Sequence, residues 1–192
     1  MRLILASASP RRVDLLRQIG IEVDVWPCDL PEQRAVGESP LAYNQRVARE
    51  KARAGWERAG ADPRRHALGA DTEVVLDDRV YGKPGDAAGA RAMLESLSGR
   101  THMVLSSVAV YGADIDAVLT STSTVRFACL DAATLAAYVA GGEPQGRAGG
   151  YAIGGFAACF IEHLEGSFSG VMGLPLHETS LLLKRIGIDP LG

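Results

Sequence analysis

Within its first forty residues the chain uses one device twice, a serine directly followed by a proline, at Ser9-Pro10 and Ser39-Pro40. Serine is favoured at the position before a helix, and proline fits the first helical position, where its missing N–H is no loss. Each pair therefore predicts a helix start. The first follows a short apolar run, Leu3 to Ala6, that reads as a buried strand. Its helix runs to about Gly20, with Val13, Leu16 and Ile19 as the apolar stripe. Between the two devices Ile21, Val23 and Val25 alternate with Glu22 and Asp24, the period-two pattern of a strand, and Pro27 to Glu38 forms an acidic loop. The second device opens a long helix to about Ala59. A strand, helix, strand order combined with 47% apolar residues, frequent glycine and few aromatics is the balance of a soluble α/β protein.

After a polar linker, Gly60 to Arg65, a strand pattern resumes at Ala67 and runs through Leu68, Val74 and Val75 to a tight turn at Asp77-Asp78. It returns through Val80-Tyr81 to Gly82-Lys83-Pro84, a hairpin. Asp86 caps a helix through Met93, Leu94 and Leu97 that ends near Gly99. Two long β-rich runs follow, Met103 to Tyr111 and Ala117 to Ala128, and Asp131 starts a helix to about Ala140. A glycine-rich stretch, Gly141 to Gly155, precedes an apolar segment, Phe156 to Leu164, a turn at Gly166 and a last helix across Leu176 to Ile186. There is no internal repeat, and 192 residues suit one globular unit, a single domain over 1–192.

The formal net charge is -3 with acids and bases interspersed, so no basic stripe is present and a nucleic-acid polymer is not an expected partner. Cys28, Cys129 and Cys159 are odd in number and lack any Cys-x-x-Cys pair, which argues against a disulfide framework and against structural zinc. The apolar run before Ala6-Ser7-Ala8 is too short for a signal peptide and no stretch is long enough to span a bilayer. The expectation is a cytoplasmic protein with no membrane partner.

Three places carry candidate chemistry. In Ser7-Ala8-Ser9-Pro10-Arg11-Arg12 hydroxyls, backbone N–H groups and two guanidinium groups gather at a helix N-terminus, a natural seat for phosphate. Paired arginines there work against the helix dipole unless an anion is bound; a capped helix with solvated arginines fits the same pattern. In Leu68-Gly69-Ala70-Asp71-Thr72-Glu73-Val74-Val75 an acid interrupts an apolar strand, and a buried carboxylate needs a cation or metal beside it. Counting back from the Asp77-Asp78 turn places Thr72 opposite Lys83 and Asp71 opposite Pro84, so carboxylate, hydroxyl and ammonium would share one patch; a plain Asp71–Lys83 ion pair is the alternative. Lys51 lies four residues after Val47 and three after Ala48 and so borders an apolar stripe, where such a lysine commonly snorkels outward. Glu32 sits in the acidic loop, where a solvated face is the commoner role. The glycine-rich stretch fits neither the dinucleotide fingerprint nor the phosphate loop, and a mobile loop is its plainer reading. No Gly-x-Ser-x-Gly elbow surrounds Ser167 or Ser169, and the four histidines show no metal-ligand spacing.

Taken in order, Leu5-Ala6-Ser7-Ala8-Ser9-Pro10-Arg11-Arg12, Gly69-Ala70-Asp71-Thr72, Gly82-Lys83-Pro84 and Ser98-Gly99-Arg100-Thr101-His102 resemble the Maf family of nucleoside triphosphate pyrophosphatases. The resemblance continues through Gly142-Glu143-Pro144, Arg147-Ala148-Gly149, Ile161-Glu162, Glu165-Gly166-Ser167 and Gly173-Leu174-Pro175-Leu176, and so covers essentially the whole chain. It implies an elongated α/β fold with a mixed sheet flanked by helices, two lobes with a nucleotide cleft between them, and a homodimer. The functional positions it implies are Ser7, Ser9, Arg11, Arg12, Glu32, Lys51, Asp71, Thr72 and Lys83. Wording around Glu143 to Ile153 is most like the branch acting on dTTP and UTP. That branch carries glutamine where this chain has Gly154, a position that, with Arg12 and Thr72, is implied to read the base.

The implied reaction cuts a nucleoside triphosphate between its α and β phosphates, releasing the monophosphate and pyrophosphate. Such hydrolysis needs charge neutralisation and a positioned water more than covalent catalysis. In that scheme Asp71 is general base and, with Glu32, holds magnesium or manganese, while Arg11, Arg12, Lys51 and Lys83 surround the triphosphate. Two other activities use the same residues: hydrolysis of modified nucleotides, and a nucleotide-sensing regulator, for example of cell division, without turnover.

Overall fold

In a computed structural model describing residues 3–28 and 30–192, both serine–proline pairs open helices. Met1 and Arg2 at the start and Asp29 in the acidic loop lie outside the described residues. Ser39 caps the second helix as expected, its Oγ accepting from the Ala42 N–H at 3.2 Å. Ser9 has the extended backbone of a cap but makes no side-chain cap hydrogen bond. Instead its own N–H donates to Ser7 Oγ at 3.2 Å, so the serine that organises this turn is Ser7.

In chain order the elements are β1 (Leu3–Leu5), α1 (Pro10–Gln18), β2 (Val23–Val25), α2 (Pro40–Arg58), β3 (Ala67–Leu76), β4 (Arg79–Tyr81), α3 (Ala87–Leu97), β5 (Thr101–Tyr111) and β6 (Asp116–Phe127). They continue as α4 (Ala132–Ala140), β7 (Ile161–Glu165), α5 (Phe168–Met172) and α6 (Leu176–Arg185). Asp86 and Asp131 cap α3 and α4 through the N–H groups of Gly89 and Thr134, both at 2.7 Å. The stripe of α1 is Leu15 and Leu16, with Val13 and Ile19 only half-buried. The expected apolar segment after the glycines is a 3-10 helix, Phe156–Phe160, leading into β7.

Seven strands form one mixed sheet in the order β2-β1-β3-β5-β6-β7, with β4 added to β3. β1 runs parallel to both β2 and β3, whereas β4 is antiparallel to β3 and β7 to β6. The hairpin turns at Asp77 and Asp78, both at positive φ, as a two-residue turn requires. Its register, Val74 with Tyr81 and Leu76 with Arg79, is the one that counting gives. The ladder nevertheless stops at Tyr81, so Thr72 and Lys83 are not a strand pair. Pro84 has no N–H with which to continue it.

By its internal contacts the chain forms two compact units, one of Met1–Asp71, Ser106–Ser121 and Gly173–Gly192, the other of Thr72–Leu105 and Thr122–Met172. In the first, α2 turns Tyr43, Asn44, Val47, Ala48, Lys51, Ala52 and Gly55 inward. Two glycines let it settle on the strands: a Cβ at Gly55 would stand 2.5 Å from Ala6 Cβ, and one at Gly69 would collide with the backbone of Ala48 and Ala52. The second unit is built around Phe127, fully buried, with the rings of His102 and Tyr151 edge-on at 4.9 Å and Phe160 at 5.1 Å. The glycine-rich stretch is folded against this core, with Gly149 and Gly150 buried. Its anchor is Glu143, whose carboxylate accepts from Tyr138 Oη at 2.8 Å and from the N–H groups of Phe156 at 2.9 Å and Ala157 at 3.2 Å. No described helix is long and apolar enough to cross a membrane.

Candidate active site

Asp71 lies on β3 three residues past Leu68, which is paired with Leu5 at the carboxyl end of β1. Strand alternation puts Gly69 and Asp71 on one face. Since Gly69 has no side chain and α2 rests on it, Asp71 on the same face reaches the same helix. There Lys51 Nζ donates to Asp71 Oδ1 at 2.7 Å, and Asn44 Nδ2 donates to Oδ2 at 2.9 Å. Asn44 and Lys51 are seven residues apart, two helical turns, and therefore share a face.

Lys51 Nζ also contacts Glu32 Oε1 at 2.8 Å, so one ammonium joins a buried carboxylate to one whose side chain is 34% exposed. The lysine does not snorkel outward: its residue exposure is 7% and that of Asp71 is 3%. A charge at this depth is sustained only by a partner, and here the partners are mutual. The ammonium at Asp71 thus comes from α2 and not, as the hairpin count suggested, from Lys83, which is exposed.

Beyond the end of β1, buried Ser7 Oγ accepts from Arg12 Nη1 at 3.0 Å as well as from Ser9 N–H. Arg12 Nε donates at 2.8 Å to the Gly173 carbonyl, which ties the start of α1 to the segment before α6. Loss of water lowers the Arg12 guanidinium from its ordinary value, while the carboxylates of Asp71 and then Glu32 act in the opposite direction. Arg12, Asp71, Glu32 and Lys51 therefore form one electrostatic neighbourhood. The first turn of α1 contains no acidic residue, so the positive end of its dipole meets no counter-charge from its own helix.

Comparison with known proteins identifies the lineage. A family model described as Maf-like protein matches residues 2–186. The chain belongs to the Maf family. It is 54% identical over 187 residues to a protein of Xanthomonas euvesicatoria pv. vesicatoria named dTTP/UTP pyrophosphatase, covering 96% of this chain and 98% of that one. A Chromobacterium violaceum protein of the same name is 46% identical over 190 residues, with coverage of 98% and 96%. A Xylella fastidiosa protein named nucleoside triphosphate pyrophosphatase is 49% identical over 182 residues, with coverage of 94% and 96%. Among solved structures, the Staphylococcus aureus Ham1 protein matches with a TM-score of 0.46 and 13% identity, over 66% of this chain and 72% of that one.

The positions expected from the sequence to be functional divide between the units. Ser7, Ser9, Arg11, Arg12, Glu32, Lys51 and Asp71 belong to the first, with Ser9 and Arg11 half-buried. Thr72, half-buried, and the exposed Lys83 and Gly154 belong to the second. At Gly154 a Cβ would meet Met172 Cε at 3.5 Å and Sδ at 3.9 Å, ordinary contacts, so a side chain is not excluded there. The residue that sequence reasoning passed over is Asn44. Its signal was a polar side chain on the same stripe as Val47, Ala48 and Lys51, legible only once the buried face of α2 is known.

Proposed function

We propose that this Maf chain hydrolyses nucleoside triphosphates, dTTP and UTP foremost, to the nucleoside monophosphate and pyrophosphate. The observation that carries the reading is Lys51 held between Glu32 and Asp71, with Arg12 in their field. The similarity to proteins named dTTP/UTP pyrophosphatase along almost the whole chain supports the substrate class.

Asp71 is the general base. Both its oxygens accept one hydrogen bond each, and a carboxylate has lone pairs to spare for a water. Two of the three Lys51 donors are committed to carboxylates, which leaves one for a phosphate oxygen. Arg11, Arg12 and Lys83, with the positive dipole end of α1, offset the remaining triphosphate charge. Ser7 fixes the Arg12 fork through its hydroxyl, and Ser9 and Thr72 offer further hydroxyls to substrate.

A divalent cation, magnesium or manganese, fits the donors present. The carboxylates of Glu32 and Asp71 converge on one positive centre, and hard oxygen ligands of this kind suit such ions. Substrate phosphates would complete the coordination of an ion held by these two carboxylates. When bound it would supply charge neutralisation and polarisation at the phosphates. A homodimer in the cytoplasm is the working form.

The test is a nucleotide panel with magnesium, products separated by chromatography. UTP and dTTP should give the monophosphate and pyrophosphate, and chelator should silence the reaction. Nucleoside diphosphate and orthophosphate as first products would refute the reading, and nucleotide binding without turnover would reduce the chain to a sensor.

A further inference from the structure

We infer that Asn44 is a positioning residue that sets the plane of the Asp71 carboxylate for proton abstraction, an inference that rests on the reaction proposed above. Asn44 is completely buried, and its Nδ2 holds the one Asp71 oxygen that Lys51 leaves alone. An ionised carboxylate only accepts, so the amide nitrogen has to face it. Asn44 Oδ1 is then left inside the protein without a hydrogen-bond partner. A buried carbonyl in that condition costs stability, and the neighbouring stripe positions Val47, Ala48 and Ala52 show what the helix otherwise places there. The amide satisfies Asp71 Oδ2 but strands its own Oδ1, so stability alone does not select it, whereas orientation does. Lys51 carries a rotatable ammonium that fixes a point at Oδ1; a second donor at Oδ2 is needed to stop the carboxylate turning about that point. Gly69 completes the device by letting β3 lie close enough to α2 for both donors to reach one side chain. Asn44 acts through Asp71 and touches neither substrate nor the reacting atoms.

The experiment compares Asn44→Leu, which keeps the volume and removes both amide atoms, with Asn44→Ala and with Asp71→Asn in the full chain. UTP turnover with magnesium and thermal melting are measured for each. For Asn44→Leu, which leaves the buried Asp71 Oδ2 without its donor, the melting temperature should fall modestly, KM should stay within about twofold, and kcat per folded molecule should fall about 10- to 100-fold, the range typical of residues that orient a functional ligand. Should Asn44→Leu fail to fold, Asn44→Ala carries the same expectation for kcat per folded molecule. A wild-type kcat in a folded Asn44 variant, beside an inactive Asp71→Asn, overturns the inference and leaves the catalytic reading standing. A lowered melting temperature with unchanged kcat per folded molecule makes Asn44 merely structural and overturns it as well. Wild-type turnover by Asp71→Asn removes the reading of the site and the inference together.

Discussion

The two units bury different kinds of side chain. In the first, Asn44, Lys51 and Asp71 lie inside α2 and β3 among small residues such as Ala48 and Ala52, and one Asn44 oxygen has no partner. The interior of the second is dominated by Phe127, Tyr138, Tyr151 and Phe160 packed edge to face, with Glu73 and His102 buried as well. Burying apolar rings stabilises a fold, whereas burying an ion pair contributes little or opposes it. A protein that spends stability on a lysine between two carboxylates in one place, and recovers it around aromatic rings in another, has separated chemistry from support. The contrast can be broken in either unit.

The largest effect should follow Lys51→Met. It strands a buried carboxylate without its cation, and breaking a buried pair in this way costs about 3–5 kcal/mol. Denaturant titration should show the loss of stability, and turnover of the remaining folded protein should fall steeply. Phe127→Ala should cost a similar about 3–5 kcal/mol by opening a cavity among the rings of His102, Tyr151 and Phe160, but with turnover per folded molecule near wild type. If Phe127→Ala instead silenced folded enzyme while Lys51→Met did not, the division of labour would be reversed.

Part of this was legible in the chain itself. Ser39, Asp86 and Asp131 each announce a helix because a side-chain oxygen at a cap acts within three residues. The Asp77-Asp78 turn sets the hairpin register for the same local reason. What the sequence hides depends on distant packing. Lys83 follows from the hairpin count and Lys51 does not, yet Lys51 reaches Asp71, because α2 comes down on Gly69 from elsewhere in the chain. Asn44 was invisible for that reason too, and the five residues of α5 are too few to show a helical period. The order of strands in the sheet likewise comes from three dimensions.

Acid should expose the support unit next. Burial lowers His102 from 6.5 to about 4, so it stays neutral in the fold at pH values where the unfolded chain takes up a proton. A lowered histidine stabilises fully above pH 6.5 and its contribution fades as pH falls from 6.5 toward 4. Between pH 7 and pH 5 the unfolding free energy should drop by about 2 kcal/mol from this group. His102→Gln should flatten that part of the pH dependence; an unchanged slope would show that His102 does not set it.

The smallest effect belongs to Gly154→Gln. Glycine offers no side-chain group to a pyrimidine edge, so the preference for UTP over CTP should be blunt, and the glutamine should sharpen it by a few-fold without loss of stability. The ratio of the two kcat/KM values in each protein checks this. A sharp wild-type preference that the substitution leaves alone would assign base reading to Arg12 or Thr72.

Asp71 is the centre of the proposed chemistry, and UTP turnover and thermal melting of wild type beside Asp71→Asn, with magnesium present, reach it directly. Asparagine keeps the shape, its oxygen can still accept from Lys51 and its nitrogen can donate to Asn44 Oδ1 once that amide turns over, but it cannot accept a proton from water. The predicted result is a folded protein whose pyrophosphate release falls by roughly a thousandfold or more, a larger loss than general base catalysis alone typically supplies because the charge beside Lys51 and Glu32 is lost as well. A folded Asp71→Asn that releases pyrophosphate at the wild-type rate would contradict it.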